Sequence, residues 1–222
     1  VADGVGWDTR TVVLLALAGL LRANPESQPP AASNGLRPGT AAPFTDAPRV
    51  DFARMIREQA ETDRAWRLAS NGVMRMDKIS YRSSKGDLDI PAYVFQPLAT
   101  RGAQRHPALV WVHEDIRGHL YERHIPFVRD AVARGYVVIA PEYRGSIGYG
   151  KAFYDAIDYG GAEVDDVVTA VSVLQERYPA VDPANIGIIG WSHGGFIALH
   201  AVFRNPLSLC GAVGLVPATN LL

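Results

Sequence analysis

Gly190-Trp191-Ser192-His193-Gly194-Gly195 sets a serine between glycines two residues before it and two after it. The apolar run Ile186-Gly187-Ile188-Ile189 comes first, and Phe196 to Val202 follows with the look of a buried helix. A strand, a glycine-flanked turn and a helix are the setting of a nucleophile elbow. In such a turn the serine hydroxyl stands clear of the sheet, and N–H groups of the helix start point toward it. Bulk at Gly190 or Gly194 would clash with the neighbouring strand or helix, so the strained turn needs both glycines. The chemistry on offer is acyl transfer through Ser192. The plainer reading is a structural glycine-rich strand–helix turn.

The elements that would carry this turn are legible upstream. Asp51 is placed to cap a helix running to about Ala69, with Phe52, Met55, Ile56 and Ala60 on one face. Val73–Arg82 and Leu88–Gln96 read as strands joined by the Ser83–Asp87 turn, and Leu88, Ile90, Ala92, Val94 alternate as in a half-buried antiparallel pair. Arg101–Pro107 reads as a polar loop. Ala108–Val112 and Tyr136–Ala140 are continuous apolar runs, as expected of strands buried on both faces. Helices are predicted near 121–134, 152–157 and 162–178, the last with Val164, Val167, Val168, Val171 and Leu174 inward. Asp182–Asn185 reads as a turn into the elbow strand, and Cys210–Val216 as a further strand. An antiparallel hairpin followed by alternating strands and helices predicts a mostly parallel, doubly wound sheet, with catalytic groups at the strands' C-terminal ends.

The 222 residues are enough for one sizeable core, and 48% hydrophobic with 20% charged residues argues against disorder. A net charge of −1 with dispersed Lys and Arg excludes the electrostatic footprint of a nucleic-acid binder. The single cysteine, Cys210, excludes an internal disulfide and reads as a core residue. Gly145, Gly148 and Gly150 have the wrong spacing for a dinucleotide fingerprint, and no P-loop lysine is present, so no cofactor is expected. His119 and His124 lack the spacing and acidic company of a metal site.

Thr11–Leu21 is apolar but too short to span a bilayer. It is similar to a signal-peptide core, which makes residues 1–22 a signal segment and the product secreted or periplasmic. Asp3, Asp8 and an initial Val run against this, leaving a surface helix and a cytoplasmic protein as the other reading. Residues 23–50, with six prolines, read as a flexible linker.

Other loops gain meaning beside the elbow. Glu142-Tyr143-Arg144-Gly145-Ser146-Ile147-Gly148-Tyr149-Gly150, then Phe153, Gly161, Asp165 and Asp166, resembles the prolyl oligopeptidase family over about residues 73–222. The resemblance implies an α/β-hydrolase fold, residues 51–222 forming the hydrolase domain, and Ser192 as nucleophile. One loop departs from that pattern. Where the family often has His-Gly-Gly-Pro, this chain has His113-Glu114-Asp115-Ile116-Arg117-Gly118, which is similar to the His-Glu loop of dienelactone hydrolases. Both patterns imply that the backbone N–H groups of Asp115 and His193 form the oxyanion hole. Losing one such donor costs about 3–4 kcal/mol of transition-state stabilisation. His113 is read as orienting the loop. Glu114 is read either as a substrate-side group touching the nucleophile or as a paired carboxylate, and Tyr143 as a pocket wall or packing. Arg144 is read as a structural ion-pair partner or a substrate clamp.

A serine hydrolase also needs a base and an acid to orient it, in the chain order Ser, Asp or Glu, His. After Ser192 the sequence holds His193, His200 and no carboxylate. His200 lies about 12 Å along the helix at 1.5 Å per residue, and His193 is committed to the elbow. The acid and histidine are therefore expected beyond Leu222, with roughly two further strands, and the chain is read as truncated at its C-terminus. The expected function is a serine peptidase or esterase acting on small ester or peptide substrates. The alternatives are a dienelactone-hydrolase-like carboxylesterase, a non-catalytic binding protein of the same fold, or a remnant that does not fold. About 70 residues before the first hydrolase strand cannot hold a β-propeller, whose blades take about 40–50 residues each. The 113–118 and 141–150 loops are then expected to form the pocket rim, with ester cleavage favoured.

Overall fold

Alternate residues of each central strand enter opposite cores. Ile90, Ala92 and Val94 face one apolar cluster while Tyr93 and Phe95 face the other, and Val137 and Ile139 part from Val138 and Ala140 in the same way. That alternation reflects a sheet covered by helices on both sides. A computed structural model describes residues 50–99 and 105–219. The signal segment read at 1–22 and all of the 23–50 linker but Val50 lie outside the described residues.

The strands are β1 (Met74–Arg82), β2 (Asp89–Pro97), β3 (His106–Val112), β4 (Val137–Pro141), β5 (Val181–Trp191) and β6 (Gly211–Leu215). They form one sheet in the order β1-β2-β4-β3-β5-β6. The β1–β2 and β2–β4 pairs are antiparallel, and β4–β3, β3–β5 and β5–β6 are parallel. This is the mostly parallel sheet with an N-terminal hairpin that the sequence predicts, and its class is that of the α/β hydrolases. The helices are α1 (Phe52–Ser70), α2 (Ile125–Ala133), α3 (Gly150–Asp155), α4 (Ala162–Arg177) and α5 (His193–Arg204). Residues of α4 and α5 join one cluster, and Trp66 of α1 with Val128 and Val132 of α2 join the other. Among the described residues no helix is long and apolar enough to cross a membrane.

Four expectations need correction. β2 is not half-buried, because β4 pairs on its far side and both its faces are covered. The inner face of α1 is Gln59, Thr62, Trp66 and Ser70, whereas Ile56 is half exposed and Ala60 exposed. Polar residues fit there because each finds a partner: Gln59 donates to the Tyr93 hydroxyl, Thr62 to Glu122, Ser70 to the Trp66 carbonyl. Asp182–Asn185 lies within β5, as an irregular stretch where the register against β3 slips. Asp182 holds it locally by accepting from the Ala184 N–H and the Asn185 amide. Cys210 is exposed rather than buried, because it leads into β6, which among the described residues pairs only with β5.

Glu142, directly after β4, is fully buried. One carboxyl oxygen accepts the Leu120 N–H at 2.8 Å, and the other has no partner. Loss of hydration raises its pKa to about 8, with the nearby Asp63 charge adding to the shift against the Leu120 hydrogen bond. The folded protein therefore keeps a proton that the unfolded chain releases near pH 4.5. This group's contribution to stability is full below that pH and falls as pH rises toward about 8. Glu142→Gln keeps the acceptor for Leu120. In the full-length gene product it should flatten the fall between pH 5 and 8, adding on the order of 1–3 kcal/mol at pH 8. Denaturant unfolding of both proteins at the two pH values checks this.

Candidate active site

β5 runs parallel to β3, with Val112 opposite Gly190, so both strands end together at one edge of the sheet. Ser192 follows β5 at once, and α5 begins at His193. To turn that sharply, Ser192 takes φ +51° and ψ −116°, a conformation that costs a non-glycine residue on the order of 1–3 kcal/mol. Surrounding bonds hold it. Its N–H donates to the Leu215 carbonyl at 2.9 Å, and its carbonyl accepts from Phe196 at 3.0 Å and Ala218 at 3.3 Å. The glycines permit the close approach. A Cβ on Gly190 would overlap the Gly194 carbonyl, and one on Gly194 would overlap the carbonyls of Val112 and His113.

Beside the serine lies a cavity of about 350 Å³ lined by Glu114, Asp115, Arg123, His124, Phe127, Trp191 and Ser192. A cavity of about 400 Å³ at the end of α1, with Arg64, Arg67, Met74 and Met76 in its wall, shares no residue with it. Phe127 and Trp191 are 54% and 39% exposed, so the wall beside Ser192 presents aromatic surface. Among the described residues the Ser192 hydroxyl makes no hydrogen bond.

The loop after β3 forms the opposite rim. Asp115 has φ +65°, a left-handed conformation that Asp tolerates better than most residues. Its carbonyl accepts from the Tyr143 hydroxyl and from the Gly118 N–H, both at 3.0 Å. The His113 ring is stacked on Tyr143 with centroids 4.3 Å apart. Burial lowers the His113 pKa to about 3, so the ring is neutral. Its Nδ1–H donates to the Glu114 carbonyl at 2.8 Å, and Nε2 lies 3.0 Å from the Ser146 hydroxyl. The ring thus braces the loop by side-chain hydrogen bonds.

The remaining sequence candidates divide. Glu114 lines the cavity, and its carboxylate is paired with Arg123 and His124. Tyr143 is fully buried and donates to the Asp115 carbonyl, so it packs behind the loop and does not line the cavity. Arg144 is bound to Asp166 through Nε and Nη2, both at 2.8 Å, and reaches the Ser83 hydroxyl and Lys85 carbonyl. It is a structural ion-pair partner. The His193 ring is buried between Tyr143 and Phe196, and His200 packs on Phe196.

Glu163 escaped the sequence reading. It is fully buried, accepts N–H bonds from Gly160 and Gly161, and lies 3.7 Å from His193 Nε2. Burial alone would raise its pKa, but His193, Asp158 and the Gly160 N–H hold it at about 2. Its place in the first turn of α4, just after two glycines, was the available signal. Arg123, Phe127 and Trp191 were also missed as pocket residues. The groups of three or more His, Cys, Asp or Glu that hold metals are absent among the described residues.

Residues 124–222 match the family model described as the prolyl oligopeptidase family. Uncharacterized peptidase YuxL of Bacillus subtilis is 32% identical over 126 residues, which are 54% of this chain and 19% of that protein. Human dipeptidyl peptidase 8 is 26% identical over 147 residues, 63% of this chain and 16% of its own length. A puromycin-hydrolysing peptidase of Mycobacterium tuberculosis superposes with a TM-score of 0.58 at 26% identity, over 65% of this chain and 23% of that one. The chain spans about a fifth of the length of these relatives. It has the α/β-hydrolase fold, and its residues 124–222 are similar to the prolyl oligopeptidase family.

Proposed function

We propose that residues 51–222 contribute the hydrolase domain of a serine hydrolase that cleaves peptide or ester bonds. The observation that carries this reading is Ser192 itself, held at φ +51° at the end of β5 and opening onto the cavity. In the proposed reaction its hydroxyl oxygen attacks the substrate carbonyl, and the proton passes to a base. The tetrahedral oxyanion is stabilised by the backbone N–H groups of His193 and Asp115. His193 opens α5, where the first N–H groups of a helix have no acceptor within the helix. Collapse expels the alcohol or amine, and water then releases the acyl group from Ser192. Phe127 and Trp191 offer apolar surface to the substrate group beside the reacting carbonyl.

The relatives are named as peptidases, which favours amide substrates. The His113-Glu114 loop, similar to that of dienelactone hydrolases, favours esters. In the full-length gene product, a nitrophenyl ester should give a higher specificity constant than an aminoacyl nitroanilide. The reverse order assigns a peptidase. A fluorophosphonate probe should label the protein at Ser192, and Ser192→Ala should abolish labelling and lower turnover by at least about 1000-fold. Labelling that survives this change sinks the proposal, and a wild-type protein that never labels is a binding module. Gly194→Val should also abolish labelling, because its side chain would collide with the carbonyls of Val112 and His113.

A further inference from the structure

The loop after β3 is held by a carboxylate clamp. The Glu114 side chain is 8% exposed, and its two oxygens have different partners. Oε1 accepts from Arg123 Nε at 2.6 Å, with Arg123 Nη2 also in contact, and Oε2 lies 2.6 Å from His124 Nε2. Both partners sit in the 3₁₀ turn Glu122–His124 that leads directly into α2. His124 is buried against Trp111, with ring centroids 5.3 Å apart, so the anchor belongs to the core. Arg123 lies over the Tyr121 ring at 3.9 Å, and the Tyr121 hydroxyl donates to Asp115 Oδ2 at 3.1 Å. The clamp therefore grips the residue immediately before Asp115, whose left-handed backbone must be held against its own preference.

We propose that Glu114 is a positioning residue: clamped by Arg123 and His124, it fixes the direction of the Asp115 N–H at Ser192. The proposal rests on the reading of Ser192 as nucleophile and Asp115 as oxyanion donor. Glu114 then touches neither the substrate nor the reacting atoms. Its work is to restrain the loop by charge and hydrogen bonds to the 3₁₀ turn that precedes α2. Each of its two oxygens is engaged, Oε1 by Arg123 and Oε2 by His124. Burial opposes its charge, yet His124 and Arg123 hold its pKa at about 2, so the Glu114 carboxylate is ionised across the neutral range.

The test uses the full-length gene product with Glu114→Ala, Glu114→Gln and Arg123→Ala. Activity is read with a neutral and a cationic nitrophenyl ester, and inhibition with phenylboronic acid, which forms a tetrahedral adduct on an active serine. Glu114→Ala should lower kcat at least tenfold for both esters, leave KM within about threefold, and weaken boronate inhibition in step with kcat. Glu114→Gln, which can still accept from Arg123 and meet His124, should recover most of the loss. Arg123→Ala, at a side chain 57% exposed, should show the same kcat pattern more weakly and without unfolding. An unchanged kcat in Glu114→Ala overturns the proposal. So does a loss confined to KM for the cationic ester, which would make Glu114 a substrate-binding carboxylate. If Glu114→Ala unfolds, Arg123→Ala decides by the same readouts. Ser192→Ala separates the two ideas: if it retains turnover the nucleophile reading fails, whereas if it is inactive while the clamp variants are unaffected, only the clamp fails.

Discussion

The steric constraint at the end of β5 governs the rest of the molecule. Ser192 reverses the chain from strand to helix in a single residue, which brings Gly190 against the Gly194 carbonyl and Gly194 against the end of β3. No side chain fits in either gap. α5 is thereby pressed onto the sheet, and Phe196, Ile197, Ala198 and Ala201 are buried in one core cluster. The same contact puts the start of α5 beside the carbonyls of Val112 and His113, where the loop carrying Asp115 begins. Serine, helix start and loop are thus brought together by backbone packing, before any side-chain interaction contributes.

Side-chain charges then fix what the backbone has assembled, and they do so largely out of water. Arg144 and Asp166 are paired with side chains 10% and 0% exposed, and Asp166 also accepts the Arg144 N–H and the Ser83 hydroxyl. Removing one partner of such a pair leaves a buried charge, which is more damaging than the pair is stabilising. Glu163, fully buried and 3.7 Å from His193 Nε2, and Glu114, paired with His124 and the half-exposed Arg123, are two further carboxylates held close to the site. The carboxylates of this frame are paired, whereas both ring nitrogens of His193 and Nδ1 of His124 are buried without a hydrogen-bond partner among the described residues.

The parts of this arrangement that depend on chain-local rules were legible in the sequence. The spacing of Gly190, Ser192 and Gly194, the apolar runs of β3 and β4, and Asp51 as a helix cap, which accepts the Arg54 N–H, each follow from neighbours in the chain. What escaped depends on partners far along it. Gln59 and Thr62 look like surface residues of α1 until Tyr93 and Glu122 are brought to them. Tyr143 is chemically suited to a pocket wall, but stacking on His113 uses its ring and the Asp115 carbonyl its hydroxyl. Periodicity could not foresee the exposure of Cys210, because an apolar run looks the same in a central strand and in one that, among the described residues, pairs on a single side. Glu114 shows the limit most clearly, since its pairing with Arg123 and His124, nine and ten residues on, depends on how the following turn folds back.

The Asp166 node also bears on the order in which the fold can assemble. The β1–β2 hairpin closes through a short turn and needs only local encounters. Its attachment to α4 is different in kind, because Ser83 and Asp166 are 83 residues apart and Tyr81 donates to the Asp166 carbonyl across 85. Closing loops of that length carries an entropic penalty that must be met before the contacts return anything. The node also recruits Arg144, 61 residues from Ser83, so three distant segments have to meet at one carboxylate. The hairpin is thus among the earliest pieces able to form and among the last to be fastened. Before β4 pairs with β2, it is a two-stranded ribbon, which is marginal by itself in water.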